Sequence, residues 1–313
     1  MRKILVTGGS GFIGSALVER LIADKENQVV VIDDLSTGHI KKLPFAEHNN
    51  LQFIKSDTNN YQDVSEVMLS FKFDYVFHYA ALVGVQRTLQ NPIKVLDDID
   101  GIKNILNISK NAGVKRIFFS SSSEIYGEPV ELPQNVYTTP LNSRLPYAIV
   151  KNIGEAFLRS FYQEYGLHYT IFRFFNTYGS KQSKDFVISK FIEKALKNQN
   201  ITIYGDGSQT RTFCYIDDNI ETCVKTLYEN TMIDDVMNVG GDIEITILEL
   251  ANKIIELTRS KSKIVYSPAL KEGDMSRRLP DISAMRKILK REPISLDEGL
   301  NKVLKQGLFE MNN

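Results

Sequence analysis

The chain has 313 residues, 42% hydrophobic and 24% charged, enough for a full α/β core in one large or two smaller domains. Lysine plus arginine equals aspartate plus glutamate at 38 each, which leaves no global field to draw nucleic acid or an anionic membrane surface. A local basic groove for a phosphate ligand stays open.

In chain order, Met1-Arg2-Lys3 leads straight into Ile4-Leu5-Val6, too short an apolar run for a signal sequence. Residues 3–6 predict a strand that ends at glycines, and residues 12–23 carry helical periodicity. Residues 28–32, Gln-Val-Val-Val-Ile, predict a second buried strand; residues 51–54, 75–78, 116–120 and 169–174 repeat the theme. Helical segments fall between most of them, notably 92–112 and 147–165. This alternation predicts a parallel, doubly wound sheet with helices on both faces. Beyond about residue 176 it breaks down: a helix over 186–197, a turn at Gly205-Asp206-Gly207-Ser208 and short mixed elements predict a smaller C-terminal lobe. The expected division is a dinucleotide-binding domain over 1–175, rejoined by about 214–240, and a substrate-binding lobe over most of 176–313. Cys214 and Cys223 have neither metal spacing nor the numbers for a disulfide framework, and read as packing residues. No metal site is expected. No stretch approaches the roughly 20 apolar residues of a membrane helix, so a reducing cytoplasm is the expected location.

Gly8, Gly11 and Gly14 stand between the first strand and the helix opened by Phe12 and Ile13. Glycine lets the backbone turn sharply and approach a pyrophosphate, whose charge the helix N-terminus then meets. Asp33 ends the second strand, where it can accept hydrogen bonds from adenosine ribose hydroxyls and repel a 2′-phosphate. The expected cofactor is therefore NAD rather than NADP. Asp57, after the third strand, is placed to meet the adenine edge, and Ala80 is small enough for the cofactor to lie against the backbone. His78 reads as a satisfied core histidine rather than a catalyst.

Tyr147 and Lys151 stand one helical turn apart, so both side chains leave the same face. A neighbouring ammonium stabilises a phenolate, which lets a tyrosine take the proton of an alcohol as hydride leaves its carbon. Upstream, the run Ser120-Ser121-Ser122-Ser123 ends a strand, and a hydroxyl there can orient the reacting oxygen.

Together with Glu124-Ile125-Tyr126-Gly127, Arg173-Phe174-Phe175-Asn176 and the run from Tyr204 to Phe213, these residues resemble the extended short-chain dehydrogenase/reductase superfamily, in its nucleotide-sugar epimerase/dehydratase branch. The resemblance covers essentially the whole chain. It implies a Rossmann-like NAD domain and a small lobe that grips a nucleoside diphosphate sugar, with Ser122, Tyr147 and Lys151 as catalytic residues. It implies Ser123, Asn176, Arg211 and Arg278 as substrate contacts, and a homodimer formed through helices 92–112 and 147–165. With the charges balanced and no long apolar stretch, neither nucleic acid nor membrane is expected among the partners. The shared chemistry oxidises the sugar C4 hydroxyl to a ketone, and the expected outcome is a 4-dehydrogenase or 4-epimerase. Glu124 pulls away from a plain epimerase: a matching glutamate in decarboxylases and dehydratases acts near C5, and it can equally bind a sugar hydroxyl. The alternatives are a decarboxylase or 4,6-dehydratase and, from another class, a non-catalytic NAD-binding sensor. Retention of Ser122, Tyr147, Lys151 and Arg211 argues against the sensor.

Overall fold

The computed structural model describes residues 1–45, 48–269 and 275–309. Its elements run β1 (Arg2–Thr7), α1 (Phe12–Ile22), β2 (Asn27–Asp33), β3 (Leu51–Lys55), α2 (Tyr61–Phe71), β4 (Tyr75–His78), α3 (Val85–Gln90), α4 (Pro92–Ala112) and β5 (Arg116–Ser122). Then follow α5 (Pro146–Tyr165), β6 (His168–Phe174), β7 (Thr177–Tyr178), α6 (Val187–Leu196), β8 (Ile201–Tyr204), β9 (Thr210–Arg211), β10 (Cys214–Tyr215) and α7 (Ile216–Tyr228). The last are β11 (Asp235–Val239), β12 (Ile245–Thr246), α8 (Ile247–Thr258), β13 (Ile264–Ser267), α9 (Ser283–Leu289) and α10 (Leu296–Gln306).

Seven strands form one sheet in the order β11-β6-β5-β4-β1-β2-β3, with parallel registers from β3 through β5. The apolar runs of β1, β2 and β5 become central strands: Ile4, Leu5, Val29, Val30 and Phe118 have no exposed surface, as strands covered on both faces require. Because β2 and β4 flank β1, the chain winds away from β1 in both directions. The point where that direction reverses, at the carboxyl ends of β1 and β4, is where open α/β sheets bind ligands. β5 runs two residues further than the expected 116–120, so Ser121 and Ser122 are still strand. Both serines are buried, so their backbone polar groups need partners within the protein rather than water.

The chain divides into two compact units. One comprises Met1–Ile125, Ser143–Arg173 and Ile220–Met237; the other comprises Tyr126–Asn142, Phe174–Asn219 and Asn238–Asn313. In the second, β8 pairs with β13, β9 with β12 and β7 with β10, and the amphipathic helices α6 and α8 pack together. A capping box opens α8, in which Thr246 and Glu249 each bind the other's backbone N–H. Cys214 and Cys223 are both buried free thiols. No described helix is long and apolar enough to cross a membrane.

Candidate functional site

The turn after β1 leaves no room for side chains. A Cβ on Gly8, at φ +67°, would lie 2.7 Å from the Ala80 backbone, and one on Gly14 would lie 2.2 Å from the Gly8 carbonyl oxygen. These contacts draw the exits of β1 and β4 together at the point of reversal and seat α1 on the turn. Gly11 caps α1 without a side-chain hydrogen bond, so no side chain competes for the first helical N–H groups. Asp33 is buried, and its carboxylate accepts Ser10 N–H at 2.9 Å and Leu35 N–H at 2.8 Å. Burial pushes its pKa up, and these two hydrogen bonds offset part of that rise. Gly38 crosses over the carboxylate, where a Cβ would come within 2.7 Å of Oδ1. Asp57 is exposed and accepts Asn59 N–H in its own turn.

His78 is nearly fully buried and its Nδ1 lies 2.9 Å from Thr7 Oγ1. That hydroxyl also accepts the N–H groups of Tyr79 and Ala80, each at 3.1 Å. With both lone pairs committed, the hydroxyl proton goes to His78 Nδ1, which fixes the neutral Nε2–H tautomer. Burial, followed by the positive charge of Lys151, holds the imidazole pKa down at about 3, in line with that tautomer. His78 thus stands as a satisfied core histidine that helps pin the backbone of Ala80.

Tyr147 and Lys151 lie in the first two turns of α5, which packs on β5. Lys151 is 3% exposed. Its ammonium stands 3.5 Å from Ser120 Oγ and over the rings of Phe119 and Tyr147, at 5.0 and 5.7 Å. Ser120 in turn donates to the His78 carbonyl at 3.3 Å. Burial pulls the lysine pKa down to about 8, against the opposing charge of Asp98. Ser122 ends β5 and its Oγ accepts Glu124 N–H at 3.2 Å; buried Ser123 and half-buried Glu124 open the 3-10 turn that follows. Ser122 at the end of β5, Ser123 and Glu124 in the turn after it, and Tyr147 and Lys151 in the opening turns of α5 all belong to the first unit.

Two features of this unit escape the sequence reading. Asp98 on α4 is the carboxylate whose charge reaches Lys151, and its Oδ2 accepts Leu82 N–H at 2.8 Å. Glu155, one turn beyond Lys151, is fully buried. It takes Arg173 bidentately at 2.9 and 2.7 Å, Ser121 Oγ at 2.7 Å and Arg159 at 3.0 Å. Burial raises the Glu155 pKa, yet the Arg173 hydrogen bonds and charge outweigh it and leave the group below the usual carboxylate range. This ion pair ties α5 to β5 and β6. The i, i+4 spacing from Lys151 to Glu155 is its one sequence signal; the partner arginine is revealed only by the fold.

In the second unit, Asn176 sits at φ +28° after β6 and donates from Nδ2 to the Thr212 carbonyl at 2.9 Å. That contact sets it beside the buried Arg211 of β9, whose Nη1 donates to Thr210 O at 2.7 Å. Arg278 is also buried, with Nη2 donating to Met275 Sδ.

Residues 4–240 match the model of the NAD dependent epimerase/dehydratase family. The chain belongs to that family. It is 35% identical over 97% of its length, and 72% of the relative's, to UDP-glucuronic acid decarboxylase 1 of Danio rerio. Its structure resembles UDP-glucose 4-epimerase of Thermotoga maritima with UDP-glucose, at TM-score 0.90 and 32% identity, covering 97% of each chain. It also resembles UDP-glucuronic acid 4-epimerase of Bacillus cereus in complex with UDP-glucuronic acid and NAD, at TM-score 0.87 and 28% identity, covering 97% of this chain and all of the other.

As a family member the chain is an NAD-dependent enzyme, and the residues present fit that cofactor. The glycine turn admits nothing larger than backbone at Gly8 and Gly14. The α1 N-terminus suits a diphosphate, and Asp33 keeps lone pairs beyond its two backbone partners for ribose hydroxyls.

Proposed function

We propose that the chain is a nucleoside diphosphate sugar 4-epimerase that works through a 4-keto sugar. Tyr147 takes the C4 hydroxyl proton and later returns one, the Lys151 ammonium favours the phenolate, Ser122 orients the reacting oxygen, and Glu124 contacts the sugar ring. NAD, when bound, supplies the hydride acceptor for C4. The first unit is assigned the cofactor, through Gly8, Gly11, Phe12, Ile13, Gly14, Asp33, Asp57, Ala80 and Lys151. The second unit is assigned the nucleotide sugar, through Asn176, Arg211 and Arg278, whose guanidinium forks suit a diphosphate. Ser123 of the first unit is a further sugar contact.

The observation that carries this reading is the buried Lys151 ammonium, one turn from Tyr147 and over its ring, on the helix that packs against the strand ending in Ser122. The similarity to two 4-epimerases of solved structure supports the outcome at C4. Decarboxylation is the second reading. It is favoured by the identity to the Danio rerio decarboxylase and by Glu124, which places a carboxylate two residues beyond Ser122. Exposed Ile93 and Leu96 on α4 and Ile149 on α5 support a homodimer through these two helices.

Incubation with NAD and a panel of UDP-, GDP- and dTDP-sugars, read by mass spectrometry and chromatography, tests the proposal. A new isomer of unchanged mass is expected. Loss of carbon dioxide or water promotes the second reading, and a product two mass units lighter marks a dehydrogenase.

A further inference from the structure

Residues 275–278 cross the second unit as a short strap held by several independent anchors. Ser276 O accepts Thr210 N–H at 3.1 Å, which lays the strap along the strand that carries Arg211. Ser276 N–H reaches both carboxylate oxygens of Glu128 at 3.2 Å, and its hydroxyl donates to Glu128 Oε2 at 2.9 Å. Arg277 grips Glu244 with both arms of its fork, at 3.0 and 2.5 Å, and Glu244 Oε1 also accepts the Thr210 hydroxyl at 2.6 Å. These hydrogen bonds hold the Glu244 pKa below the ordinary range. Just past the strap, Gln134 N–H binds Leu279 O at 2.6 Å.

These carboxylates bind neither Arg211 nor Arg278 in any of these contacts; they bind the residues beside them. Arg277 is half exposed, and exposed ion pairs add little to stability. The bidentate fork instead fixes direction: Thr210 and Arg277, the immediate neighbours of the two buried arginines, are fastened to one glutamate. A long side chain delivers its guanidinium reproducibly only when its own backbone is fixed, and two guanidiniums bind one diphosphate well only if both arrive preorganised.

We propose that Glu244 and Glu128 are positioning residues that latch the strap to β9 and so hold Arg211 and Arg278 in register for the substrate diphosphate. This rests on the diphosphate role proposed above for the two arginines. Neither glutamate touches substrate in this scheme. Loss of the latch frees the strap, and the cost falls on substrate binding rather than on the proton transfers at Tyr147.

The test uses the full-length enzyme loaded with NAD, with UDP as the binding probe and the active sugar nucleotide as substrate. Glu244→Ala, Arg277→Ala and the double variant form one cycle, Glu128→Ala a second line, and Arg278→Ala the control. Glu244→Ala and Arg277→Ala are each expected to raise KM and the UDP Kd about tenfold with kcat within about twofold. The double variant should be no worse than either single, since one latch is broken once. Arg278→Ala should weaken UDP at least as much. If Arg278→Ala leaves UDP affinity intact, the diphosphate assignment fails. If it weakens UDP while Glu244→Ala and Arg277→Ala bind normally, or their effects simply add, the latch is wrong. An equal fall in kcat and stability across the set also overturns it, because that is damage to the fold.

Discussion

Replacing Lys151 by methionine should make the cofactor-free protein more stable while abolishing its activity. The ammonium is 3% exposed and has one long hydrogen bond and two aromatic faces around it. Burial brings its pKa from the ordinary 10.5 to about 8 despite the pull of Asp98. At about 1.4 kcal/mol per pH unit, that gap is a cost of about 3 kcal/mol to the folded state at neutral pH. The unfolded chain takes up this proton below 10.5 and the folded chain only below about 8. The cost therefore grows as pH falls from 10.5 to 8, is complete below 8, and disappears above 10.5. Methionine keeps the unbranched apolar stem and removes the charge. Losing the two cation–π contacts takes back about 1–2 kcal/mol, the pull of Asp98 being already contained in the shifted pKa. Urea unfolding at pH 7 should show Lys151→Met more stable by about 1–2 kcal/mol, with the advantage shrinking toward pH 10.5. A variant less stable than wild type at pH 7, or a difference that does not change between pH 7 and 10.5, refutes the reasoning.

Glu155→Ala leaves the Arg173 guanidinium buried without its carboxylate, and should cost about 3–5 kcal/mol in the same unfolding assay; a loss below about 1 kcal/mol would mean the pair does not anchor α5. Gly14→Ala drives a Cβ to within 2.2 Å of the Gly8 carbonyl, so calorimetry should find NAD binding lost while Tyr147→Phe binds NAD normally. Thr7→Val leaves the Tyr79 and Ala80 N–H groups and His78 Nδ1 without their shared hydroxyl, and should lower stability by about 1–3 kcal/mol. Ring NMR of His78 should show the Nε2–H tautomer with no titration between pH 5 and 8.

The parallel sheet could be read from the chain because strands buried on both faces appear as uninterrupted apolar runs, as at residues 28–32. The tight glycine turn and the placing of Lys151 over the Tyr147 ring were equally legible, since each is set within one turn of backbone or helix. Asp98 was not: 53 positions separate it from Lys151, and only the packing of α4 against α5 joins their charges. Glu155 with Arg173 and Glu244 with Arg277 are hidden for the same reason, because an isolated charge in a sequence reads as a solvated face until the fold supplies its partner. The strand-end serines sit between these cases: their position was evident, but their burial depends on β5 continuing through Ser122.

The most direct measurement follows a UDP-hexose carrying deuterium at C4 through wild-type enzyme and Tyr147→Phe, each loaded with NAD. Wild type should yield the C4 epimer with its deuterium retained, and Tyr147→Phe should bind the sugar but fall at least about a hundredfold in turnover, the scale of losing a positioned acid–base group. Epimer that has exchanged its deuterium for solvent hydrogen would contradict hydride transfer between C4 and the cofactor, and a Tyr147→Phe variant that turns over like wild type would contradict the proton role of this tyrosine.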